Sequence, residues 1–209
     1  MRKKTAVVML VSIMLLSVTK GALACKGSQI LYEDKFTTMD PSWGTPSQKQ
    51  NVNSGKFIIQ PEANKSSTAL NQGIAFEDMD ACINVTLAKS EDPAYGGGLV
   101  FWAKDFDDYY YLQLSGNGYF QIARWTNGRF LYPVPWRENA SIKQGVGQTN
   151  QLEVITKGNQ ATVYINGTEV VTIKGQPPQG GGLIGLKGDS SEKSQSIWEF
   201  SDLKITKPL

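Results

Sequence analysis

The chain has 209 residues, with 21 basic and 19 acidic side chains and no histidine. Without histidine there is no Ser-His-Asp or Cys-His catalytic arrangement and no His-ligated zinc, and two cysteines are too few for a cysteine zinc site. Four basic residues lie in the first 24 positions, which hold no acid, so residues 25–209 carry 17 basic against 19 acidic groups, a net −2 with no electrostatic footprint for nucleic acid.

The N-terminus reads as an export signal. Arg2, Lys3 and Lys4 precede an apolar run over 6–18, and Ala22-Leu23-Ala24 supplies small residues where a signal peptidase cuts. As a helix that run rises only about 20 Å, short of the roughly 30 Å a membrane span needs. Residues 1–24 are therefore expected to be a signal peptide, and 25–209 one exported domain, periplasmic or extracellular. Cys25 and Cys82 fit a disulfide in an oxidising compartment, closing a loop long enough to contribute about 3–4 kcal/mol. The rival reading makes Cys25 the lipid-anchored residue of a lipoprotein, although Ala22 stands where a lipobox has leucine.

Strand and turn signals then follow in order. Early candidates are 29–36, 56–59 and 68–71. Ala81, Ile83, Val85 and Leu87 alternate with Cys82, Asn84 and Thr86, the period of a half-buried strand. Residues 99–103 follow Gly96-Gly97-Gly98. Residues 109–114 and 119–125 flank Ser115-Gly116-Asn117-Gly118, and 152–156 and 161–165 flank Lys157-Gly158-Asn159. Asn166-Gly167 is a strong two-residue hairpin cue before 170–173. Strands at 183–186 and 197–205 close the series. Turn signals recur about every ten residues and no stretch longer than a turn or two shows helical spacing, which points to an all-β sandwich or barrel, with a two-sheet antiparallel sandwich the expected fold class.

Several of these pieces resemble motifs of concanavalin A-like jelly rolls. They are Gly98-Leu99-Val100-Phe101-Trp102 with Asp108-Tyr109-Tyr110-Tyr111-Leu112, then Asn150-Gln151-Leu152-Glu153-Val154 and Val163-Tyr164-Ile165-Asn166-Gly167. Gly182-Leu183-Ile184-Gly185-Leu186 and Phe200-Ser201-Asp202-Leu203-Lys204-Ile205 complete the set. Their order is similar to laminin-G-like domains and to the bacterial 3-keto-disaccharide hydrolase-like family. The resemblance implies a jelly-roll fold and keeps a glycosidase-like activity on modified disaccharides open as a rival function. It says little more, because one such fold hosts many unrelated sites.

Among residues that can carry chemistry, the Glu-x-Asp-x-x-Glu strand of laminarinase-type enzymes is missing. Glu77-Asp78-Met79-Asp80 comes nearest and reads as a solvated turn. Asp105, Asp107 and Asp108 form the densest acidic group. They can supply oxygen ligands to Ca²⁺, or they can simply satisfy the backbone of their own turn, which is the reading their spacing favours. The aromatics are more telling. Strand parity places Tyr109, Tyr111 and Gln113 opposite the apolar Tyr110, Leu112 and Leu114, and it groups Gln121 and Trp125 with them. If Leu99 and Phe101 face inward, Trp102 joins the same outer face. Flat rings beside amides suit a sugar, whose apolar face stacks while its hydroxyls bond. Trp136 and Arg137, after the proline-bounded loop 133–135, are expected to wall one end. Trp43 and Trp198 are expected to pack in the core. The leading expectation is a non-catalytic carbohydrate-binding sandwich. The hydrolase and a structural or protein-interaction module of the cell envelope stand as rivals.

Overall fold

The computed structural model describes residues 25–209, so the expected signal peptide lies outside the described residues. Two antiparallel sheets face each other. The first has eight strands in the order β12-β11-β10-β5-β14-β3-β2, with β1 pairing β14 beyond β3. These are β1 (Ile30–Asp34), β2 (Gln50–Asn53), β3 (Lys56–Ile59), β5 (Met79–Lys89), β10 (Thr149–Lys157), β11 (Gln160–Ile165), β12 (Thr168–Lys174) and β14 (Ile197–Thr206). The second has six, in the order β4-β13-β6-β7-β8-β9. These are β4 (Ser66–Phe76), β6 (Gly96–Asp105), β7 (Asp108–Ser115), β8 (Tyr119–Thr126), β9 (Arg129–Glu138) and β13 (Gly182–Asp189). Of the sandwich and the barrel that the turn spacing allows, the expected sandwich is the one observed.

Alternation builds the core. Leu99, Phe101, Leu112, Phe120 and Ile122 of the six-stranded sheet face Ile83, Val85, Leu152, Val163 and Phe200 of the other, all buried. Trp198 lies between them, its ring against Gly97 and Gly188, where an added methyl would approach it to 2.3 and 2.8 Å. Its Nε1–H donates to the Asp189 carbonyl at 3.0 Å, so the indole is both packed and satisfied. Trp43, in the short 3₁₀ turn Pro41–Trp43, packs against Phe36 and Phe57 and donates Nε1–H to Asp34 Oδ2 at 2.9 Å. Both tryptophans are core, as expected.

The hairpin cues act as read. Asn166 and Gly167 have φ of 51° and 80°, the left-handed pair of a type I′ turn. Asn127 and Gly128 repeat it at 51° and 72°, joining β8 to β9. Here the sequence expectation needs correction, because 133–135 is no loop. Pro133 and Pro135 sit inside β9, the edge strand of its sheet, where a missing N–H is tolerated.

Cys25 and Cys82 are joined, with Cα atoms 5.6 Å apart. The bridge pins the N-terminal segment across the outer side of β5 and engages the Cys25 sulfur that a lipid would need. Among the described residues no helix is long and apolar enough to cross a membrane.

Candidate functional site

The outer face of the six-stranded sheet gathers most of the expected residues. Tyr109, Tyr111 and Gln113 of β7 pair in register with Trp125, Ala123 and Gln121 of β8, so all six share one side. Tyr109 and Tyr111 pack with Leu70, Val100, Ala103 and Ala123 in a second apolar cluster, separate from the main core. Parity on these two strands holds.

The floor of this face is more enclosed than an exposed platform would be. Tyr109, Tyr111, Gln113 and Gln121 are all buried, Gln113 completely. They are linked by hydrogen bonds and ring edges. Lys187 of β13, itself buried, donates Nζ–H to Asp189 Oδ1. Asp189 Oδ2 accepts from Gln113 Nε2 at 2.6 Å, and Gln113 Nε2 also reaches the Gly96 carbonyl at 3.3 Å. Gln113 Oε1 in turn accepts from Gln121 Nε2 at 2.7 Å. Gln121 Oε1 is buried and has no partner. Burial, and then the Asp189 charge, pushes the Tyr111 phenol far above its ordinary range, so its hydroxyl remains a donor.

Above this floor stand exposed rings that sequence reasoning largely missed. Trp125, half-buried, packs on Phe130 with centroids 4.6 Å apart, and Phe130 stacks on Tyr132 at 6.2 Å. Phe130 also meets Tyr111 edge-on at 6.5 Å. Phe130 and Tyr132 are 45% and 54% exposed, which makes them available to a ligand. Both belong to β9. At the other end Trp136, 39% exposed, reaches over Gly96. A methyl on Gly96 would meet Trp136 Cη2 at 2.8 Å and Gln113 Cδ at 3.0 Å, so only glycine lets the indole and the amide meet there. Trp136 also borders a small cavity of about 190 Å³ with Ala94, Asn117 and Tyr119.

Two expected members are elsewhere. Trp102 is 2% exposed and belongs to the main core, against Phe101 and Tyr110 with centroids 5.4 Å from each. Between Phe101 and Asp105 the β6 register slips against β7, leaving extra residues on β6. Trp102 takes φ 48° there, which turns its side chain inward beside Phe101. Arg137 also points inward. It is paired with Phe120, lies 4.8 Å from that ring's centroid, and donates Nη2–H to the Val170 carbonyl at 3.2 Å.

The aspartates after β6 serve their own turn. Asp105 Oδ1 accepts from the backbone N–H groups of Asp107 and Asp108 at 2.8 and 2.9 Å. Asp108 forms a two-pronged pair with Arg124, Nε to Oδ1 at 2.9 Å and Nη2 to Oδ2 at 3.1 Å. Among the described residues one set of acids and thiols brings three ligand atoms within 4.8 Å, namely Cys25, Asp80 and Cys82, and its sulfurs are tied in the disulfide. Asp80 corrects another expectation. Glu77 and Asp78 are solvated, but Asp80 is fully buried at the start of β5 and accepts from Gly27 N–H at 3.0 Å.

No known protein family matches the sequence, and no curated protein is similar to it. Solved structures are similar in fold. A carbohydrate-binding module, CBM66 from Bacillus subtilis, matches with a TM-score of 0.58 at 15% identity, over 70% of this chain and 85% of that one. A Bacillus licheniformis beta-glucanase matches at 0.59 and 10% identity, over 85% and 98%. The laminarinase catalytic domain from Thermotoga maritima matches at 0.62 and 9%, over 87% and 98%. The fold is thus a two-sheet jelly-roll sandwich like those of these proteins.

Proposed function

We propose that this chain is an exported carbohydrate-binding sandwich without catalysis, whose ligand lies on the outer face of the six-stranded sheet. The observation that carries the reading is the line of accessible rings, Trp125, Phe130 and Tyr132, with Trp136 at the far end, above a floor of hydrogen-bonded amides. Exposed aromatic rings in one patch are costly to leave without a partner, and a pyranose offers both an apolar face and hydroxyls. The fold supports the class, since its neighbours include a carbohydrate-binding module and glucanases. The leader and the Cys25–Cys82 bridge support export to an oxidising compartment. Against catalysis, the carboxylate at the centre of the face, Asp189, is committed to Lys187 and Gln113.

The test is a glycan array with the disulfide-bonded protein, repeated with Trp125→Ala. We expect binding that the substitution abolishes, with less than about 1 kcal/mol lost in stability because the ring is partly solvated. Wild-type binding unaffected by Trp125→Ala places the ligand elsewhere. Release of new reducing ends from any bound polymer favours the hydrolase.

A further inference from the structure

We infer that the site takes a neutral, hydroxyl-rich oligosaccharide that donates one hydroxyl to Gln121 Oε1. This rests on the carbohydrate reading above and specifies its chemistry.

The direction of the amide chain is set from one end. An ionised carboxylate only accepts hydrogen bonds, so the Gln113 group facing Asp189 is its NH₂. The same NH₂ reaches the Gly96 carbonyl, a second group that only accepts. Gln113 therefore turns its carbonyl oxygen toward β8, and Gln121 answers with its NH₂. The chain ends on Gln121 Oε1, a buried acceptor with no partner on a residue only 5% exposed. A buried carbonyl left unpaired is unfavourable, and a donor arriving from a ligand removes that deficit. Hydroxyls and N–H groups can do this, whereas ether oxygens and carboxylates cannot. Trp136 and the Gln113 amide both lie over Gly96, one hydrogen bond from Gln121, so a sugar laid against the indole brings its rim hydroxyls to this pair of amides.

Charge selects within the sugars. Lys187 and Asp189 cancel at the centre of the face. Arg124 and Arg137, on β8 and β9, both turn to the inner side, where Asp108 and the Val170 carbonyl hold them. Glu138, opposite Tyr119 at the Trp136 end, adds negative charge. Arg129, opposite Thr126, stands on that inner side too, so among the described residues of β7, β8 and β9 no arginine faces the rings, and a uronate or sulfate finds no counter-charge from these strands.

The experiment uses the disulfide-bonded protein in affinity electrophoresis and calorimetry. The probes are neutral polymers (laminarin, mixed-linkage β-glucan, galactomannan) and uronate polymers (alginate, polygalacturonate). We expect binding to at least one neutral polymer, none to the uronates at low salt, and loss of binding when the bound polymer is O-methylated, which removes donors but keeps ring faces. Gln121→Met should weaken binding about tenfold or more, the loss expected for one buried hydrogen bond. Asp189→Asn, which leaves Lys187 uncompensated, should gain retention on alginate, an effect that misfolding cannot mimic. Uronates binding as well as neutral polymers, or the methylated polymer binding within twofold of its parent, overturns this inference while the carbohydrate reading stands. No binding to any polymer by the wild type overturns both.

Discussion

The outer faces of the two sheets are built by the same alternation and end up opposite in character. On the eight-stranded sheet the polar groups pair among themselves at the surface, and only the part around Cys82 is covered. Thr86 meets Thr149 and Thr162 meets Thr172 through their hydroxyls at 2.7 and 2.9 Å, and Asn84 bonds Asp202 at 2.9 Å. The segment from Cys25 to Gly27 lies over the part of the face near Cys82, Glu153 and Tyr164. Lys26 pairs with Glu153 at 3.7 Å and caps the Tyr164 ring at 3.0 Å, while Gly27 bonds Asp80. On the six-stranded sheet the floor is hydrogen-bonded up to Gln121 Oε1, which has no partner, and Phe130 and Tyr132 stand exposed above it. One face thus offers self-paired polar groups and the other exposed rings, and the outward side chains make the difference.

The contrast can be broken from either side. The largest effect should come from opening the covered face. Replacing Cys25 and Cys82 together by alanine should cost about 4 kcal/mol for a loop of 57 residues, or a fall in Tm of roughly 10 °C by calorimetry. Glycan binding on the opposite sheet should be unchanged at temperatures where the protein is folded.

Next comes the pair of tryptophans that sequence parity assigned to one face. Trp102→Ala should cost about 3 kcal/mol in denaturant unfolding, near the low end for a buried indole because its Nε1–H has no acceptor. Trp125→Ala should cost far less. Equal losses would mean that the two rings share an environment.

A smaller effect is a pH dependence confined to the covered face. Burial, and then the Asp80 carboxylate, pushes Glu153 up to about 7 from its usual 4.5, with Lys26 pulling the other way. The folded protein holds a proton that the unfolded chain releases. The stability this contributes is therefore complete below about pH 4.5 and is lost as the pH rises through about 7. Thermal midpoints should fall across that window, and Glu153→Gln should flatten the slope. The smallest effect expected is none: chelators and added calcium should leave Tm unmoved, since Asp105 and Asp108 already have partners. A calcium-dependent rise would make that turn a metal site.

Much of this was legible in the sequence. The all-β class, the turns at Asn166-Gly167 and Ser115–Gly118, and the shared side of Tyr109, Tyr111, Gln113, Gln121 and Trp125 follow from period and turn chemistry alone. What parity cannot register is a bulge, and one bulge in β6 moved Trp102 from the outer face to the core. β9 was hidden by its prolines, although Asn127-Gly128 is the same hairpin signal as Asn166-Gly167. Missing that strand meant missing Phe130 and Tyr132. Lys187 and Asp189 reach the site because β13 lies beside β6, a neighbour fixed by long-range topology. No local pattern reports that, nor that the tyrosines and glutamines would be buried by one another.

Pro133 and Pro135 have a consequence for behaviour at high concentration. An edge strand with a full set of free N–H groups is a template on which a second copy can add its own strand, and such growth has no natural end. β9 lacks two of those donors on the strand that carries the most exposed rings. Local concentration, however high, then gives sticky aromatic contacts but no continuous ladder to lock them. The molecule can display an adhesive surface and still remain separate from its copies.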